Sequence, residues 1–269
     1  MTGGIVRIGV AGWTYAPWRG VFYPKGLRRE QELGYSAERL RTLEITDTFY
    51  GLQRPEAFAS WVEQVPADFV FAVTAPRAIT HILRLQDAQV ALANFIASGL
   101  LRLGVHLGPI LWRLPRNFRF DVKRITAFLG LLPHDTAAAA ALGRRHDASL
   151  RAPAWLNVDI PRRVRHAFEI NHESFRCQAF IDLLRAHDVA LVCADSGASP
   201  RLMDVTSDFI YCRLRAPRDG GGYDNAMLDI WARRFNSWAR GEEPPDAERV
   251  GGTARAPGNA MELIRRVRS

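Results

Sequence analysis

Residues 166–195 read HAFEINHESFRCQAFIDLLRAHDVALVCAD, and this stretch decides the fold. Ala167–Ile170 and Val189–Ala194 are short, almost uninterrupted apolar runs, the pattern of strands covered on both faces. Between them Phe175, Ala179, Phe180, Leu183 and Leu184 recur at helical spacing and form one apolar stripe. Strand, helix and strand within about 30 residues is the unit from which parallel sheets are built.

The same alternation extends in both directions. Further strand-like runs are Val6–Val10, Leu43–Phe49, Phe69–Thr74, Leu103–Trp112 and Phe209–Leu214. Pro55 suits a first helical position, with Phe58, Trp61, Val62 and Val65 on one face. Asp121 suits an N-cap ahead of Val122, Ile125, Leu129 and Leu132. Leu228, Trp231, Phe235 and Trp238 make another stripe, and a last helix is expected over Asn259–Val267. Repeated βα units predict an α/β protein of the TIM-type (β/α)8 barrel class. The eighth strand is expected to be shortened or missing, because its only candidate, Arg249–Ala254, is too rich in glycine. The expected organisation is one barrel domain over residues 1–269, with an Arg- and Ala-rich excursion at about 133–166.

Composition narrows the class. With 269 residues, 48% hydrophobic and 24% charged, the chain is neither disordered nor fibrous. The net charge of +8 comes from 36 cations, of which only Lys25 and Lys123 are lysine. Arginine forks suit phosphate and carboxylate partners, although so lopsided a ratio also fits a coding bias. Cys177, Cys193 and Cys212 are not spaced as a metal or redox pair and read as apolar fillers of a reduced, cytoplasmic protein. Leu92–Gly108 is broken by Asn94, Arg102 and His106, so no membrane span is expected.

In such a barrel, functional groups gather where strands end and the next loops begin. Glu44, Glu169 and Asp195 close strand-like runs and are the expected acid, base or nucleophile, with ion pairing to Arg213 and Arg215 as the competing role. His81 and His172 follow strand ends and could move protons near neutral pH. Arg77, Arg213 and Arg215, with Tyr223, Tyr15 and Trp13, are the expected substrate or anion ligands. The segment RLRAPRDGGGYDN (213–225), joined by Gly251–Gly252, suits a phosphate loop ahead of a helix N-terminus. No nucleotide-cofactor motif and no compact metal motif occurs, and the scattered His, Asp and Glu leave a metal open. Arg144, Arg145, Arg151, Arg162, Arg163 and Arg165 make nucleic acid a second candidate partner. For the aromatics Trp13, Tyr15, Trp18, Phe22 and Tyr23, packing within a loop is the preferred reading.

The runs IGVAGWTYAPWRGVFYPKGL, LEITDTFYGL, FVFAVTAPRAITH, LGPILWRLP, HAFEINHESF, VALVCADS and FIYCRLRAP together resemble the domain of unknown function 72 family, also called YecE-like. The resemblance spans residues 5–240 and implies a TIM-type barrel with no settled activity. It matches at Trp13, Tyr15, Trp18, Tyr23, Pro24, Glu44, Thr48, Phe49, Tyr50, Arg77, Thr80, His81, Glu169, His172, Asp195, Thr206, Arg213 and Tyr223. It departs at Thr74, where the family pattern has lysine, at Asn171, where it has arginine, and at Arg215-Ala216, where it has His-Gly. The family's eighth strand is replaced here by GGTARAP. Three function classes follow: an enzyme acting on a small phosphate- or sugar-containing anion, a nucleic-acid-binding protein without catalysis, and a degenerate barrel kept as a scaffold.

Overall fold

A computed structural model describes residues 4–195, 200–215, 222–242 and 256–267. Among the described residues seven strands form one all-parallel sheet in chain order: β1 (Gly9–Ala11), β2 (Thr42–Ile45), β3 (Val70–Thr74), β4 (Leu107–Arg113), β5 (His166–Glu169), β6 (Ala190–Asp195) and β7 (Tyr211–Leu214). Each is short and pairs in parallel with the next, and helices or helical turns lie in every connection from β1 to β6. Gly9 is required in β1, because a Cβ there would lie 1.7 Å from the Thr42 carbonyl oxygen.

The helices are α1 (Glu32–Ala37), α2 (Asp47–Tyr50), α3 (Pro55–Glu63), α4 (Gln89–Ala97), α5 (Val122–Leu129), α6 (Thr136–Gly143), α7 (Gln178–Ala186), α8 (Asn225–Ala239) and α9 (Ala256–Val267). Their starts follow ordinary capping chemistry. The Asp121 carboxylate accepts from the Arg124 N–H at 3.1 Å, Asp135 from Ala138 at 2.7 Å and Asp224 from Met227 at 2.9 Å. Pro55 opens α3.

The sheet is strongly curled. At about 4.8 Å per strand step, β2 and β7 would sit about 24 Å apart in a flat sheet. Instead the Arg213 and Tyr211 side chains of β7 hydrogen-bond Glu44 of β2 at 3.0 Å each. Side chains therefore divide by strand parity. Leu111, Ala167, Ala190, Val192 and Ala194, with Tyr211, form a small cluster on the concave face. The large core lies on the convex face, between the strands and the helices, and includes Ile45, Phe71, Val73, Trp112, Phe128, Phe168 and Phe180. A further cluster joins Cys193 and Cys212 to Trp231 and Leu228 of α8 and Leu263 of α9.

Three expectations need correction. The run Leu43–Phe49 is not one strand: β2 stops at Ile45 and α2 begins at Asp47. Leu103–Trp112 is likewise divided, with a helical segment Leu100–His106 ahead of β4 and a break at Gly104 (φ 54°, ψ −121°). The 133–166 region is no mere surface excursion. Its alanine tract is α6, packed on α4, and Trp155, Leu156 and Val158 lie against the main core. The weak strand at Arg249–Ala254 lies outside the described residues. Among the described residues β1 and β7 are the two ends of the sheet, and α9 packs against β1 and α8. None of the described helices is long and apolar enough to cross a membrane.

Candidate functional site

Five concave-face residues meet at the C-terminal ends of the strands. Glu44 lies one residue before the end of β2 and Arg213 one before the end of β7, while Thr74 ends β3, Arg113 ends β4 and Glu169 ends β5. Arg213 sits between the two carboxylates, donating from Nη1 to Glu169 Oε2 at 2.6 Å and from Nη2 to Glu44 Oε1 at 3.0 Å. Glu44 also accepts from Thr74 Oγ1 at 2.7 Å and from the Tyr211 hydroxyl at 3.0 Å. Glu169 lies 3.2 Å from Arg113 Nε and 3.4 Å from Arg215 Nη2. The Arg113 distance is an ion-pair distance and not an aligned hydrogen bond, so this buried N–H is left without an acceptor.

The electrostatics follow from that crowding. Burial alone would raise the Glu169 pKa, but Arg213, Arg215 and Arg113 outweigh it and hold the carboxyl below its usual range. For Arg213, burial disfavours the charged form, but Glu44 and Glu169 prevail and raise its pKa further. Arg215 goes the other way: burial, with Arg213 and Arg113 nearby, lowers it to about 10 despite Glu169. Burial raises the Tyr211 hydroxyl well above its ordinary value, and Glu44 adds to this, so it remains a donor.

Above this floor opens a cavity of about 340 Å³, lined among others by Trp13, Tyr15, Phe49, Tyr50, Arg113 and Arg213. Gly12 shapes its wall: φ is +71°, and a Cβ there would meet the Tyr15 hydroxyl at 2.9 Å. His81, on a π-helical turn after β3, shares the Phe49 ring with Arg113. The imidazole packs edge-on at 5.2 Å and the guanidinium lies 5.6 Å from the centroid. Thr80 Oγ1 is hydrogen-bonded to His81 Nδ1 at 2.9 Å. Burial, and then Arg113, Arg77 and Arg84, lower the His81 pKa, so the ring is neutral at pH 7.

The expected trio of acids is not brought together. Ala194 faces inward, so Asp195 faces outward, toward α8. There it accepts from the Tyr223 hydroxyl at 2.8 Å and from Trp231 Nε1 at 3.2 Å, with Arg201 at 3.7 Å. Tyr223 therefore goes with Asp195 and not with the cavity. His172 caps a short helical turn, accepting from the Ser174 N–H at 3.1 Å. Trp13 is buried edge-on against Trp61 at 5.7 Å, and Arg77 is exposed beside the His81 turn. Arg113 and Tyr211 escaped the sequence reading. The available signals were a cation directly after the apolar run GPILW, and a tyrosine two residues before Arg213 on the same strand face.

The phosphate-loop expectation is only partly covered, since Arg218, Gly220, Gly221, Gly251 and Gly252 lie outside the described residues. The arginines of the 133–166 region divide into a paired and an exposed group. Arg162 pairs with Asp159, Arg163 with Asp188 and Asp208, and Arg165 with Asp208, while Arg144, Arg145 and Arg151 are exposed. Among the described residues no three His, Cys, Asp or Glu side chains are grouped so as to hold a metal ion.

No curated protein matches the sequence. A solved DUF72 family protein of Thermotoga maritima shares the fold with a TM-score of 0.72 and 21% identity, covering 98% of this chain and 100% of its own. One from Enterococcus faecalis gives 0.63 and 16%, covering 100% of this chain and 98% of its own. The model of the family described as protein of unknown function DUF72 matches residues 7–269, and the chain belongs to that family.

Proposed function

We propose that the chain binds a small phosphate- or sugar-containing anion at this mouth and acts on it as a hydrolase-type enzyme. One observation carries the reading. Among the described residues Arg113, Arg213 and Arg215 converge on a floor with Glu44 and Glu169, next to a cavity that also has Asp47 in its lining and could admit a guest. An anion offered to Arg113 and Arg215 relieves their mutual repulsion and gives the buried Arg113 N–H an acceptor.

In this reading Glu44 and Glu169 are not the acid and base. Both are acceptors held by arginine, and they fix the angle of Arg213. His81, neutral and tethered through Thr80, is the general base: it takes a proton from a water as that water attacks the substrate, the bond to the leaving oxygen breaks, and the imidazolium returns the proton to that oxygen so that it departs as the alcohol. His172 and Asp195 have no part in the reaction. The TIM-type (β/α)8 architecture belongs to the same proposal, supported by the parallel order and by the reach of β7 to β2.

A screen of phosphomonoesters and glycosides tests this. Turnover should fall by about 100-fold or more in His81→Ala. Activity that survives the substitution removes His81 from the mechanism, and no turnover with any substrate leaves a binding protein in place of an enzyme.

A further inference from the structure

Resting on that anion-binding reading, we infer that the ligand carries an aromatic ring beside its anionic group, and that Tyr15 and Tyr50 receive the ring. Both tyrosines line the cavity, yet they stay 43% and 76% exposed. Exposed aromatic surface at a cavity rim is costly to leave in water unless something covers it.

The two rings are braced, which separates them from loose surface aromatics. Tyr15 packs on Trp18 at 4.8 Å, and Tyr50 meets Phe49 edge-on at 5.2 Å. Each ring thus has an aromatic neighbour on one side and an open face toward the cavity mouth. Phe49 in turn links the wall to the floor, because Arg113 lies over its face. An anion on Arg113 therefore has aromatic walls directly above it. A cavity of about 340 Å³ sits at the small end of ligand pockets and suits a single ring with one anionic group better than a polymer strand.

Calorimetry with two inert probes, phenylphosphonate and methylphosphonate, tests the inference without turnover. Phenylphosphonate should bind about tenfold tighter. The preference should shrink to within about twofold in Tyr50→Ala and in Tyr15→Ala/Tyr50→Ala. Equal binding of the two probes to the parent protein, or a preference that survives both variants, overturns the aromatic ligand and leaves anion binding standing. Binding of neither probe removes the anion site itself and this inference with it.

Discussion

Two acidic clusters, one buried and one half-buried, lie within one strand of each other and do opposite work. On the concave face Glu44 and Glu169 share Arg213, with Arg113 and Arg215 crowding the same floor. On the convex face Asp195 rests on the Tyr223 hydroxyl and the Trp231 indole, under α8. The first holds more cations than anions and opens on a cavity; the second ties a strand end to a helix. A single step along β6, from Ala194 to Asp195, decides which cluster the acid joins. Proximity in the chain to a strand end is therefore a poor guide to chemistry unless the face is also known.

Breaking the concave cluster should have the largest effect. Arg213→Met removes the cation between two buried carboxylates, and an expected loss of about 3–5 kcal/mol follows from leaving buried charge uncompensated. Urea unfolding measures it, and adding Glu44→Gln and Glu169→Gln should restore part of the loss. A mild Arg213→Met phenotype would mean that Thr74, Tyr211, Arg113 and Arg215 already suffice.

His166 sharpens the comparison, since it is a buried polar group that carries no charge. Trp112 Nε1 donates to its Nδ1 at 3.1 Å, and its Nε2 donates to the Pro133 carbonyl at 2.8 Å. Burial lowers its pKa from 6.5 to about 4. The neutral ring is favoured in the fold, so its contribution is complete above pH 6.5 and is lost as pH falls toward 4. That loss amounts to about 3 kcal/mol. His166→Gln should flatten the stability profile in that window. The lowered Glu169 acts at more acid pH, because its contribution is present above the usual carboxylate range and disappears as pH falls below it.

The convex cluster should matter least. Asp195→Asn keeps one oxygen acceptor for Tyr223 or Trp231, so about 1 kcal/mol is expected from thermal unfolding.

Much of this was legible in the sequence and some was not, for physical reasons. Runs such as Val189–Ala194 are strands because both of their faces are covered, and continuous apolarity records that directly. Continuous apolarity also describes a buried helical turn, so the run from Leu103 gave no sign that the chain stays helical until His106. Asp121 was identifiable as a cap because capping is local. Glu44, Glu169 and Arg213 were identifiable as a set, since acids in apolar strands need cationic partners. The exclusion of Asp195 and Tyr223 was not identifiable, because one residue of register reverses a side chain's face. Cys193 and Cys212 face each other across β6 and β7 within the α8 cluster, a pairing that their spacing in the sequence did not reveal.

The most direct test is the affinity for inorganic phosphate of Arg113→Met and Asp195→Asn, measured beside the parent protein by calorimetry. Arg113→Met should weaken binding by about tenfold or more, and Asp195→Asn should match the parent. Undiminished binding in Arg113→Met, or an equal loss in Asp195→Asn, would contradict the assignment of the anion to the concave mouth.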